Sequence, residues 1–164
     1  IDIANYFKND KSLIFLFIGE GANKTKKQKK VGDLNLRNVL LLPYQSKETL
    51  KYSLSAADLH LITIEKGLTG VMVPSKIYGI LACGRPFIGW VENDSEIASI
   101  SKEYNCGFII NPENESEVIS KIKWALENKS TLEDMGGNSR KAAEEKYNRK
   151  ASTSKFNEIL CRFN

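Results

Sequence analysis

The chain has 164 residues, 41% of them hydrophobic and 27% charged, with a formal net charge of +4. That length supports one ordinary domain with a core of its own, and no apolar run approaches the roughly 18 residues that would suggest a membrane span. Cys83, Cys106 and Cys161 are odd in number and far apart, which argues against a disulfide framework or a zinc site and for a reducing, cytoplasmic setting.

The opening IDIANYF reads as the second half of an amphipathic helix, so at least one strand is expected upstream of residue 1. SLIFLFIG (12–19) is a short apolar run stopped by glycine, the pattern of a strand covered on both faces. A lysine-rich helix follows from about Asn23, then a second strand in NVLLLP (38–43) and a helix in SKETLKYSLSAA (46–57). ADLHLITI (57–64), RPFIGWV (85–91) and CGFIINP (106–112) complete five strands, separated by helices in PSKIYGILACG (74–84) and DSEIASISKEYN (94–105). Four strand-to-helix alternations predict an α/β fold, a doubly wound parallel sheet of Rossmann-like type with helices on both faces. Residues 114–128, 131–148 and 149–163 add three successive carboxyl-terminal helices.

Much of the positive charge sits in KTKKQKK (24–30). Such a run is ordinarily a solvated helix face, although it can attract phosphates or an anionic membrane surface. No aromatic residue interleaves the lysines, so nucleic acid is not expected as a partner. His60, flanked by Leu59 and Leu61, reads as a packing residue, and Trp90 and Trp124 as core or interface residues.

The helix beginning at PSK carries the chemistry. Proline suits a first helical turn, where its missing N–H would have had no partner. Ser75 and Lys76 then offer amides, a hydroxyl and an ammonium to an anion, while Ile77, Ile80 and Leu81 recur at packing spacing. The loop EKGLTGVMV (65–73) precedes them at the carboxyl end of a strand, where ligands of open α/β sheets bind, and its Gly67 and Gly70 allow close backbone approach. The alternative is that Ser75 caps the helix and Lys76 is merely solvated.

FLFIGEGANK (15–24), NVLLLPYQSKETLKYSLSAADLHLI (38–62), GLTGVMVPSKIYGILACGRPFIG (67–89), SEIA (95–98) and CGFIINPEN (106–114) occur in one order and spacing. In these five blocks the sequence resembles the carboxyl-terminal, donor-binding half of family-four (group 1) glycosyltransferases of GT-B fold, nearest the bacterial surface-polysaccharide branch. The resemblance implies that residues 1–164 form a single nucleotide-sugar-binding domain of a larger enzyme with a missing amino-terminal domain. It implies a nucleotide-diphosphate-sugar donor, a carbohydrate or lipid-linked acceptor, no cofactor, no metal, and peripheral association with the inner face of the membrane.

Residue by residue, the resemblance places Gly19 and Gly21 in the glycine turn facing the cleft and Tyr44 and Gln45 beside the nucleobase. Ser75, Lys76 and the backbone of Gly70, Val71 and Val73 would hold the diphosphate, with Glu65 near the donor sugar and Glu65 and Lys76 as catalytic residues. The position of the family's second glutamate, five residues before Gly84, is Gly79. The carboxylate clamp on ribose is therefore missing, and Glu96 is the substitute acceptor. That departure keeps two alternatives open: a nucleotide-sugar epimerase of the same fold, for which a single histidine is a poor supply of acid–base groups, and a non-catalytic nucleotide-binding module.

Overall fold

The structure is a computed structural model that describes residues 1–21, 23–64 and 74–161. Glu65, Gly67, Gly70, Val71 and Val73 therefore lie outside the described residues. The chain divides into two compact units, residues 1–53 and 54–164.

In residues 1–53 the short helix α1 (Asp2–Tyr6) precedes strand β1 (Phe15–Ile18), helix α2 (Lys24–Asp33) and strand β2 (Val39–Leu42). The two strands pair in parallel, Phe15 opposite Val39 and Ile18 opposite Leu42. Because side chains alternate along a strand, Phe15, Phe17, Val39 and Leu41 share one face and pack with Ala4, Val31, Leu34 and Leu36. Leu16, Ile18, Leu40 and Leu42 occupy the other face and are exposed. Asn35 holds a left-handed conformation (φ 49°) after α2, where a short polar side chain tolerates it.

Helix α3 (Leu50–Ser55) leads into residues 54–164. There the elements run β3 (His60–Thr63), α4 (Lys76–Ala82), β4 (Phe87–Trp90), α5 (Glu96–Tyr104), β5 (Gly107–Ile110), α6 (Glu115–Glu127), α7 (Lys129–Glu145) and α8 (Arg149–Cys161). The three strands form a parallel ladder in the order β3–β4–β5. Phe87 and Val91 point into a core with Ile62, Ile77, Ile80, Leu81, Ile97 and Ile100, from β3, α4 and α5. On the opposite face Ile88 and Ile110 are buried, as are Val118 and Ile122 of α6, which packs on β4 and β5. Both faces of this ladder are thus covered, as a continuous apolar strand such as β4 requires.

All five expected strands form, and each pairs in parallel with a neighbour of its own unit. Gly84, in the left-handed region (φ +63°), ends α4 and turns the chain toward Pro86 and β4. α7 lies close against this turn, since a Cβ at Gly136 would stand 2.6 Å from the Gly84 carbonyl oxygen.

Candidate donor-binding site

At the carboxyl end of β1, Gly19 has φ +134° and donates its N–H to the Leu42 carbonyl at 3.1 Å. Side-chain-bearing residues avoid that conformation. A Cβ on Gly19 or Gly21 would meet nothing within 4 Å, so this turn borders open space. The Gly21 carbonyl accepts the N–H of Lys24 at 2.9 Å as α2 begins. The first turn of α2 has no side-chain cap and no acidic residue, an electrostatic setting that favours an anion. Glu20 and Lys24 pair at 2.6 Å across the turn.

Just past β2, Tyr44 is 73% exposed, so its ring is a free face rather than a half-buried edge residue. Gln45 turns its amide back to the Pro43 carbonyl at 3.0 Å. Within residues 1–53 the glycine turn and the Tyr44–Gln45 turn therefore both follow the carboxyl ends of paired parallel strands, where ligands of such sheets bind.

In residues 54–164 the corresponding residues follow β3. Ser75 is exposed, and its hydroxyl makes no cap bond to α4, contrary to the capping alternative; its carbonyl accepts the Tyr78 N–H at 3.2 Å. The Lys76 ammonium donates to the Leu61 carbonyl at 3.3 Å. His60 bonds through its N–H to Pro86 beside β4, so by strand alternation the Leu61 carbonyl turns to the other edge of β3. Lys76 thus covers an edge carbonyl that no strand of this ladder reaches. Desolvation there holds the ammonium below the usual lysine pKa.

Glu96 is exposed in the first turn of α5, behind Ser95, whose hydroxyl accepts the Ala98 N–H at 3.1 Å. A carboxylate is favourable at that end of a helix. Burial, reinforced by the Glu96 charge, raises the Tyr78 hydroxyl above its usual pKa. Among the described residues no three His, Cys, Asp or Glu side chains gather where they could hold a metal.

Two features behind this site were not legible in the sequence. His60 Nε2 lies 2.8 Å from the Leu54 carbonyl and the Arg85 guanidinium donates to the Ser55 carbonyl at 2.6 Å, so these side chains close the last turn of α3. Burial lowers the His60 pKa. Gly79, for its part, faces Leu54: a Cβ there would stand 2.8 Å from Leu54 Cδ1. The position that lacks the family glutamate is a close-packing position, and a side chain at 79 would displace Leu54. No one-dimensional signal marks either arrangement.

The sequence model of the group 1 glycosyl transferases matches residues 2–142. The chain belongs to that family. It is 31% identical over 152 residues to WbjE of Pseudomonas aeruginosa, named a glycosyltransferase, covering 91% of this chain and 36% of that protein. It is 29% identical over 118 residues to WcaI of Escherichia coli, named for colanic acid biosynthesis, covering 71% of this chain and 29% of that protein. The chain therefore spans about a third of the length of these relatives. Among solved structures, a variant of S. aureus TarM in complex with Fondaparinux, alpha-GlcNAc-glycerol and UDP superposes with TM-score 0.78 at 23% identity, over 96% of this chain and 31% of that one. Anabaena HepE in complex with UDP and glucose gives 0.77 at 16% identity, over 98% and 43%. At those identities the likeness establishes the fold, the α/β architecture with parallel strands of a GT-B glycosyltransferase half.

Proposed function

We propose that residues 1–164 form the nucleotide-sugar donor domain of a two-domain glycosyltransferase that builds a bacterial polysaccharide or glycoconjugate. The observation that carries this reading is the family match across residues 2–142, joined to a glycine turn open at Gly19 and Gly21. The UDP complexes of TarM and HepE support a uridine nucleotide as the first donor to test.

In this reading Tyr44 and Gln45 border the base, and Gly19 and Gly21 admit the donor. The diphosphate lies against Ser75, Lys76 and the backbone of Gly70, Val71 and Val73, with Glu65 beside the sugar. Glu96 replaces the absent carboxylate at Gly79 toward ribose. As the bond to the anomeric carbon breaks, negative charge collects on the leaving diphosphate, and an ammonium and amides aimed at it lower the barrier. Lys76 must leave the Leu61 carbonyl to do so, and a bound anion restores its proton affinity. The acceptor, carbohydrate or lipid-linked, and the base that activates it belong to the amino-terminal domain. Lys26 and Lys29, exposed on α2, are available to an anionic membrane.

Calorimetric titration with UDP and GDP tests the reading. UDP is expected to bind, Lys76→Ala to weaken UDP about tenfold while leaving uridine unchanged, and UDP affinity to fall as alkaline pH deprotonates Lys76. Absence of heat and of thermal shift at millimolar nucleotide overturns it. Equal losses for UDP and uridine remove Lys76 from the phosphate site.

A further inference from the structure

A second concave surface lies among α4, α7 and α8, within residues 54–164. A cavity of about 580 Å³ opens there, within the size range of small-molecule sites. One wall is apolar: Ala82, Ala143 and the ring of Tyr147. That ring stacks on Tyr78 at 6.0 Å between centroids, meets Tyr104 edge-on at 6.3 Å and has the Lys146 ammonium 5.4 Å from its centroid. An apolar wall of aromatic and methyl groups suits the C–H side of a pyranose, which is apolar, while its hydroxyls radiate outward.

The polar lining suits those hydroxyls. Arg140 donates through Nε to Glu144 at 2.7 Å and through one terminal nitrogen to the Ala82 carbonyl at 2.6 Å. Both groups are thereby fixed one helical turn apart, with the other terminal nitrogen and the second carboxylate oxygen left unbonded among the described residues. A fixed donor beside a fixed acceptor matches a pair of neighbouring hydroxyls. Arg149 and Lys150 complete the rim; both are exposed, and neither side chain has an ion-pair or hydrogen-bond partner among the described residues. Two exposed cations at the edge of this groove favour a ligand with a negative group.

We propose that this groove binds an acidic saccharide, a carboxylate-bearing segment of polysaccharide, with a pyranose on Tyr147, hydroxyls on Arg140 and Glu144, and the carboxylate toward Arg149 and Lys150. The choice of a saccharide rests on the polysaccharide reading above. The groove is separate from Ser75 and Lys76 in its lining, so it would hold polymer while the donor site is empty or filled.

The test titrates this chain with a polymannuronate hexasaccharide, with maltohexaose, with phosphatidylglycerol vesicles and with UDP. The acidic hexasaccharide is expected to bind, to bind less tightly at higher salt, and to lose about fivefold in affinity in Arg149→Glu/Lys150→Glu. Acidic residues suit the start of α8, so the double variant should fold, and its UDP affinity should be unchanged. Hexasaccharide binding without UDP binding keeps the groove and removes the donor reading. UDP binding without hexasaccharide binding overturns the groove alone. The proposal also falls if maltohexaose binds as tightly, if the double variant binds the hexasaccharide normally, or if only the vesicles respond to Arg149 and Lys150.

Discussion

Residues 1–53 and 54–164 are both α/β units with parallel strands, yet they distribute burial and charge in opposite ways. Of the buried hydrophobic residues among those described, five belong to the first unit and twenty to the second, so packing rigidity is concentrated in the second. The first carries ten Lys and Arg against five Asp and Glu, the second fourteen against fifteen, so the chain's net positive charge resides in the first. β4 is covered on both faces, whereas Leu16, Ile18, Leu40 and Leu42 leave one face of β1–β2 exposed and α2 buries no residue. The contrast teaches that the predicted donor contacts rest on two different supports: exposed turns on a thin scaffold, and a helix start pinned to a dense core.

The largest effect that would break this comparison is in amide exchange. Amides of β4 should exchange at least about a hundredfold more slowly than those of β1, as expected for a central strand against one with an uncovered face; equal protection would erase the distinction. Next comes Gly107→Ala. Its Cβ would stand 2.7 Å from both the Phe87 ring and the Phe87 carbonyl oxygen, and backbone cannot yield as a side-chain tip does, so chemical denaturation should show a loss of about 3 kcal/mol.

His60 gives a smaller, pH-dependent effect. Because its folded pKa lies below the unfolded value near 6.5, its contribution is complete above that value and is lost as pH falls through the depressed folded one. His60→Gln should flatten this slope and cost about 1 kcal/mol at pH 7, the net worth of one hydrogen bond. A slope that survives the substitution assigns it to other groups. The smallest effect has the opposite sign: Gly32→Ala in exposed α2, where a Cβ meets nothing within 4 Å, should stabilise residues 1–53 by about 0.5 to 1 kcal/mol. A loss there would show that α2 is more tightly packed than its exposure indicates.

The sequence made the elements legible because their signals are local. SLIFLFIG and NVLLLP read as strands, and Phe15–Ile18 and Val39–Leu42 are strands. Ile77, Ile80 and Leu81 read as the inward face of a helix, and each is fully buried. The predicted helix from Pro74 begins in the structure at Lys76, a difference within the ordinary uncertainty of helix ends. Gly19 was legible as the stop of a strand and carries positive φ. Ser75 was ambiguous between a cap and a free hydroxyl, and only coordinates show that the hydroxyl does not cap α4.

What the chain determined by itself was therefore the order and type of its elements, its family, and the residue types gathered near the strand ends, since these depend on periodicity, turn chemistry and motif order. Tertiary structure alone decided that Lys76 rests on Leu61, that His60 and Arg85 close α3, and that Tyr147 packs against Tyr78 and Tyr104. Each of those facts is a distance between groups remote in sequence, and such distances are fixed by how whole elements pack, which no local pattern encodes.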